Sequence, residues 1–150
     1  IQGFPAFCGT IATMNQSTAV GFPSHWPSEC PPADSTACTG EYFHLLTANP
    51  PGKDDLKSFA EKERILRHVP RCPCMPYGLS VFTEREDAMF MQRAMPKLGA
   101  FIAVLQLRPD DGKAMRTPGQ RPSHHTWWPS RDCIRVDKVE SIEIVAPGVS

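Results

Sequence analysis

The stretch GLSVFTEREDAMFMQRAMPKLGAFIAVLQL, from Gly78 to Leu107, carries the pattern on which the fold turns. Leu79-Ser80-Val81-Phe82 reads as a short strand bounded by Gly78. Thr83-Glu84-Arg85-Glu86 has the spacing of a capping box, in which a threonine oxygen takes the third amide of a helix and a glutamate reaches back. Ala88, Met89, Met91, Gln92 and Met95 continue that helix until Pro96 and Gly99 end it. The three methionines read as core filling. From Gly99 to Leu107 the chain is almost continuously apolar, as in a strand buried on both faces. Strand, helix and strand therefore follow one another within 30 residues.

Outward from this block the elements are shorter. Upstream, Glu41 to Thr47 is an aromatic and apolar strand, stopped by the turn residues Asn49-Pro50-Pro51-Gly52. Asp54 to Val69 has acidic residues at its start, basic ones at its end and apolar positions near helical spacing, which predicts a helix ended by Pro70. Arg64, Arg67, His68 and Arg71 would form one row on or beside it. Downstream, Arg108 to Lys113 is a turn and Ala114 to Thr117 a returning strand. The segment Ser123-His124-His125-Thr126-Trp127-Trp128 follows, and Val136 to Val145 closes the order with a strand. The expected class is α+β: a mixed, mostly antiparallel, split sheet with two or three helices over residues 40–150. Residues 1–39, rich in Ser, Thr, Pro and Gly, read as an irregular arm, with a short strand possible near Gly9 to Met14. No glycine-rich phosphate loop follows any strand, so a doubly wound nucleotide fold is not expected.

Composition narrows the function classes. Pro accounts for 16 of 150 residues, roughly twice the usual share of about 5%, which favours short elements and stiff connections. No Lys or Arg precedes Lys53, and 13 of the 16 acidic residues lie from there on, a net of +3 in that part. That excess is too small for duplex nucleic acid. The longest apolar run is about half of what a membrane span needs, and the opening residues show no basic signal-peptide region. Six cysteines would allow three disulfides, but a chain of this length does not depend on them. Cys72-Pro73-Cys74 is too tight to bridge to itself, and no C-x2-C pair suggests zinc. Free thiols, no metal and a cytoplasmic setting are the expectation, with secretion as an effector the other setting considered.

The chemistry-bearing residues cluster in the second half. His124 and His125 can act as acid or base near neutral pH. As neighbours in extended chain they point to opposite faces, so a given pocket takes only one of them. Trp127 and Trp128 could stack on a ligand ring, and Arg116 and Arg121 flank the segment as anion partners. His44 sits mid-strand among apolar residues. Ser80 lacks the G-x-S-x-G elbow of serine hydrolases. Glu140 and Glu143 are three apart and face opposite ways in a strand.

Tyr42-Phe43-His44-Leu45, then Gly78-Leu79-Ser80-Val81-Phe82, a helix, and Gly99 to Val104 together resemble the ADP-ribosyltransferase superfamily. That resemblance implies a split sheet gripping NAD, with His44 as the first-strand residue toward the nicotinamide ribose and Ser80 as the middle residue. Glu143 or Glu140 would be the late acid, although the family's paired Glu-x-Glu or Gln-x-Glu motif is absent. A distant RNA 2′-phosphotransferase branch uses Arg and His, a part open to His124 or His125. The expected function is thus nucleotide handling of the ADP-ribosyltransferase type, as in a bacterial toxin or effector domain. His44, Ser80, His124, His125 and Glu143 would be catalytic, and Arg116, Arg121, Trp127 and Trp128 would hold NAD. The competing expectation is a non-enzymatic adaptor, immunity or regulatory module that docks a protein partner through the Trp pair and the Pro-rich arm. Metal-assisted nuclease chemistry ranks last, for want of carboxylates at ligand spacing.

Overall fold

A computed structural model describes residues 21–62 and 72–144. Seven strands form one sheet: β1 (Thr36–Ala37), β2 (Gly40–Leu46), β3 (Leu79–Phe82), β4 (Phe101–Leu107), β5 (Gly112–Arg116), β6 (His124–Pro129) and β7 (Val139–Ile144). Their order across the sheet is β1-β5-β6-β3-β2-β4-β7, and every pairing is antiparallel. The sheet is therefore not mixed in its ladders. Its strand–helix–strand block nevertheless leaves a mark. β3 and β4 are both antiparallel to β2, which lies between them, so they run in the same direction and need a crossover to do so. The helix α1 (Arg85–Ala94) supplies it.

Three of the sequence expectations change. Among the described residues α1 is the one α-helix, accompanied by four short 3-10 segments, rather than one of two or three. Residues 54–62 form turns instead of helix, and 63–69 lie outside the described residues, as do the basic row from Arg64 to Arg71 and the strand near Gly9 to Met14. The turns are stabilised by Asp55, whose carboxylate accepts from the amides of Thr47, Ala48 and Gly52. A residue that bonds nearby backbone so readily favours a turn over a helix interior. The capping box does not form either, because α1 starts one residue late, with Glu84 at the N-cap and no side-chain cap. The Glu84 amide donates to the Ser123 hydroxyl at 3.2 Å and the Thr83 amide to the Ser123 carbonyl at 3.3 Å. A tertiary partner has taken over from the local one.

Alternation in the strands sorts the core. Tyr42, Leu46, Leu79, Val81, Leu105 and Trp127 fill one side of the sheet. On the other side, Phe43, Phe82, Ile102 and Val104 pack under Ala88 and Met91 of α1. Met91 is buried and Met89 half-buried, whereas Met95 is exposed. A third cluster joins Trp26, Cys30, Cys72 and Cys74 to Trp128. The described part of the N-terminal arm is thus irregular in backbone but packed: Trp26 and Cys38 are buried, and β1 pairs with β5.

The cysteine expectation is overturned in the same cluster. Cys30 and Cys74 form a disulfide with Cα atoms 5.4 Å apart, and Cys72 is also disulfide-bonded. Spacing excludes a bridge within Cys72-Pro73-Cys74, but it says nothing of a partner 44 residues away. Cys74 is therefore not one of the free thiols expected. Cys38 and Cys133 are free thiols, and burial pushes them up to about 12 and about 11 respectively, so both stay protonated.

Replacing Cys30 and Cys74 together with alanine is expected to lower the unfolding free energy by about 2–4 kcal/mol. The check is the denaturant midpoint followed by tryptophan fluorescence. An unchanged midpoint would mean that the packing of Trp26 and Trp128 holds the arm without the bridge.

Candidate functional site

β3 is the middle strand of the seven, where side chains on either face should be covered. Leu79, Val81 and Phe82 are, at 5% exposure or less, but Ser80 between them is exposed. Its side chain shares the face of Phe82. On that face α1 covers the half toward β4, while the disulfide-bonded arm covers the half toward β5 through Trp128. Ser80 lies in the interval between these two covers. An opening over the centre of a sheet, floored by a hydroxyl, is where a ligand can reach fixed polar groups.

Two histidines converge on this residue. His124 of β6 is buried, and its Nε2 lies 3.0 Å from the Ser80 hydroxyl oxygen. Its Nδ1 lies 3.2 Å from the Thr117 carbonyl and 3.0 Å from the Thr117 hydroxyl, which in turn bonds the Thr126 hydroxyl at 2.8 Å. A carbonyl can only accept, so Nδ1 carries the proton and Nε2 offers its lone pair to the Ser80 O–H. Burial lowers the His124 pKa, the Thr117 carbonyl partly opposes this, and His125 lowers it further. The ring is therefore neutral at pH 7.

His44 reaches Ser80 from the other side of the sheet, through the main chain. Its Nδ1 is 2.7 Å from the Ser80 carbonyl and its Nε2 is 2.6 Å from the Asp55 carbonyl. Both partners are backbone carbonyls, so the ring bridges two main-chain acceptors. His44 is a buckle between β3 and the loop after β2. As placed, neither of its nitrogens is turned to a ligand.

The loop before β6 is clamped to α1. Asp87 accepts from the Ser123 amide at 3.0 Å and from Arg121 Nε at 3.1 Å, and the Arg121 guanidinium lies 4.3 Å from the centre of the Phe90 ring. Burial alone would raise the Asp87 pKa, but the hydrogen bonds from Ser123 and Arg121 outweigh it and hold it below the ordinary value. Gly119 packs so closely on His124 that a Cβ there would sit 2.6 Å from the ring. Phe82 meets the same ring edge-on, with centroids 5.6 Å apart.

The other expected residues go elsewhere. His125 points to the opposite face, in register with Val81 and Arg116, and its Nδ1 bonds the Ser123 carbonyl. Arg116 is exposed at the end of β5 on that same face, and Arg121 is taken up by Asp87. Trp127 and Trp128 are both 0% exposed, donating to the Asp111 and Cys74 carbonyls, and have no face to offer a ligand or a partner. Glu143 pairs with Arg85 at 2.9 Å on the edge strand β7. That is three strands from Ser80, roughly 14 Å at the usual strand spacing. Glu140 bonds Gln106. Asp87, Thr117 and Gly119 are site residues that the sequence did not single out, and Thr126 lay in the singled-out segment without a role of its own. Only Gly119, in an otherwise polar loop, carried a signal of close approach. Among the described residues no group of three or more His, Cys, Asp or Glu is placed to hold a metal ion.

Because the folded chain disfavours a proton on His124 while the unfolded chain does not, this residue stabilises the fold above about pH 6.5, and the contribution is lost as pH falls further. Between pH 7 and 5, the unfolding free energy of the native chain should fall by up to about 1.4 kcal/mol per unit more than that of His124→Gln. Parallel stability curves for the two would show that His124 is not held neutral.

Compared with known proteins, the chain matches no family model, no curated protein and no solved structure.

Proposed function

We propose that the protein handles a nucleotide of the NAD type in the manner of the ADP-ribosyltransferases, with the ligand lying over Ser80. The observation that carries this reading is the exposed Ser80 at a split in the sheet. β2 and β3 share a single register pair, Phe43 with Phe82, while β2 and β4 pair over seven residues. The resemblance implies a split sheet with a first-strand histidine and a serine at the middle position. His44 and Ser80, chosen on that basis, meet at the split through a 2.7 Å contact.

Within this reading each residue would take one role. Ser80 would contact the ligand, and His124 would exchange its proton through Nε2. His44 would keep the two strands at a fixed separation. The late glutamate of the resemblance has no counterpart beside Ser80, since Glu143 is engaged by Arg85 on the edge strand. The imidazole of His124 stands there instead, which favours chemistry in which a proton is moved over chemistry in which a carboxylate shields a cation. Arg121, in the loop before β6, has its side chain about one-third exposed, and could meet a phosphate while its Nε stays on Asp87.

The disulfides bear on where this would happen. Bridges of this kind persist in oxidising surroundings and are rare in the cytosol, so we take the protein to act after export, as a secreted effector. Among the described residues no helix is long and apolar enough to cross a membrane.

Calorimetric titration with NAD tests the assignment. Native protein should bind saturably, and Ser80→Tyr, which fills the opening, should weaken binding by about tenfold or more at an unchanged melting temperature. Absence of heat at millimolar NAD would sink the nucleotide reading.

A further inference from the structure

We infer that Ser80 and His124 form a nucleophile–base pair able to take up an acyl group from a carboxylic ester, an activity separate from nucleotide binding. The parts of such a pair are a hydroxyl open to the outside, a base within hydrogen-bond reach and a third group that fixes the base. Ser80 is exposed, its oxygen is 3.0 Å from Nε2 of His124, and Nδ1 is fixed by Thr117. Ser80 stands on a strand and not on the nucleophile elbow of serine hydrolases. The strand achieves the same presentation because the cover over its face is interrupted at that residue.

The base is preorganised on every side. Phe82 and Gly119 confine the ring, and the Thr117–Thr126 hydroxyl pair closes the network behind it. With the Nδ1 proton directed at the Thr117 carbonyl, Nε2 is the nitrogen left to accept from Ser80. Because burial keeps the ring neutral at pH 7, that lone pair is available without deprotonation.

In the step itself, the Ser80 oxygen bonds the ester carbonyl carbon as its proton passes to Nε2. The ester C–O bond then breaks, and the departing alkoxide takes that proton and leaves as the alcohol. Water repeats the sequence on the acyl-serine, releasing the acid and restoring the hydroxyl. No oxidant, metal or cofactor enters the balance. None of these steps requires NAD, so a failure of either reading leaves the other standing.

The test uses an alkyl phosphonofluoridate, which bonds an activated serine oxygen through phosphorus and releases fluoride and a proton. Intact mass and peptide mapping of the full chain should show one adduct, at Ser80. Ser80→Ala should show none, and His124→Gln, verified as folded by its melting transition, should react at least about 100-fold more slowly. Thr117→Val, which keeps the carbonyl but removes the hydroxyl, should still be labelled. Native protein left unlabelled under conditions that fully modify a serine protease would overturn the inference. So would labelling of His124→Gln at the native rate, because a hydrogen bond with only a structural role predicts no rate difference.

Discussion

One pair of residues, Phe43 opposite Phe82, joins the two halves of this sheet in register. On one side lie β1, β5, β6 and β3; on the other lie β2, β4 and β7. A ladder broken at that point would leave buried backbone groups without partners, at a cost of about 1–3 kcal/mol each. His44 answers part of that demand by placing an imidazole nitrogen on the Ser80 carbonyl. Packing answers the rest: Phe43, Phe82, Ile102 and Val104 are gathered under α1 from both halves. Arg85 adds a tie, with its guanidinium 5.2 Å from the centre of the Phe43 ring and its ion pair to Glu143 at the far edge. The helix is therefore both the crossover that the direction of β3 and β4 requires and the clasp over the seam.

The other cover on the same face is of a different kind. It has no regular structure and depends on a disulfide, on Trp26 and on the indole of Trp128 donating to the Cys74 carbonyl. Two separate covers, one helical and one cross-linked, leave the middle strand bare where they fail to meet. Ser80 is exposed for that reason, and the site is a consequence of how the sheet is covered. Gly112 marks how close the fit is on the disulfide side. It sits at φ 127°, and a Cβ there would collide with the Trp128 carbonyl.

What the sequence made legible follows from the range over which each signal acts. The strands at Gly40–Leu46, Leu79–Phe82 and Phe101–Leu107 were readable because alternation and apolar runs are local. The opposite directions of His124 and His125 followed from the same period. Thr83 and residues 54–62 misled because a tertiary partner, Ser123, and a side chain committed to a turn, Asp55, overrode the local pattern. The disulfide was invisible for a similar reason, since its partners are 44 residues apart. Trp127 and Trp128 were read as ligand platforms, yet each indole finds a carbonyl to donate to, and with its one polar atom satisfied an indole is best placed in the core. Asp87 and Thr117 were missed because their roles exist only after β6 has docked beside β3.

The two histidines at Ser80 show how much position decides. His44 lies between two carbonyls, with each ring nitrogen taken up by the main chain, which makes it a fixed part of the frame. His124 faces a carbonyl on one nitrogen and a hydroxyl on the other, so its second nitrogen is left to accept and can exchange a proton with whatever meets Ser80. Burial reinforces the difference by disfavouring charge on His124. A residue type alone would have given both the same role. The separation comes from the atoms opposite each ring nitrogen, and those are fixed by a seam where two strands stop pairing and side chains take the place of the ladder.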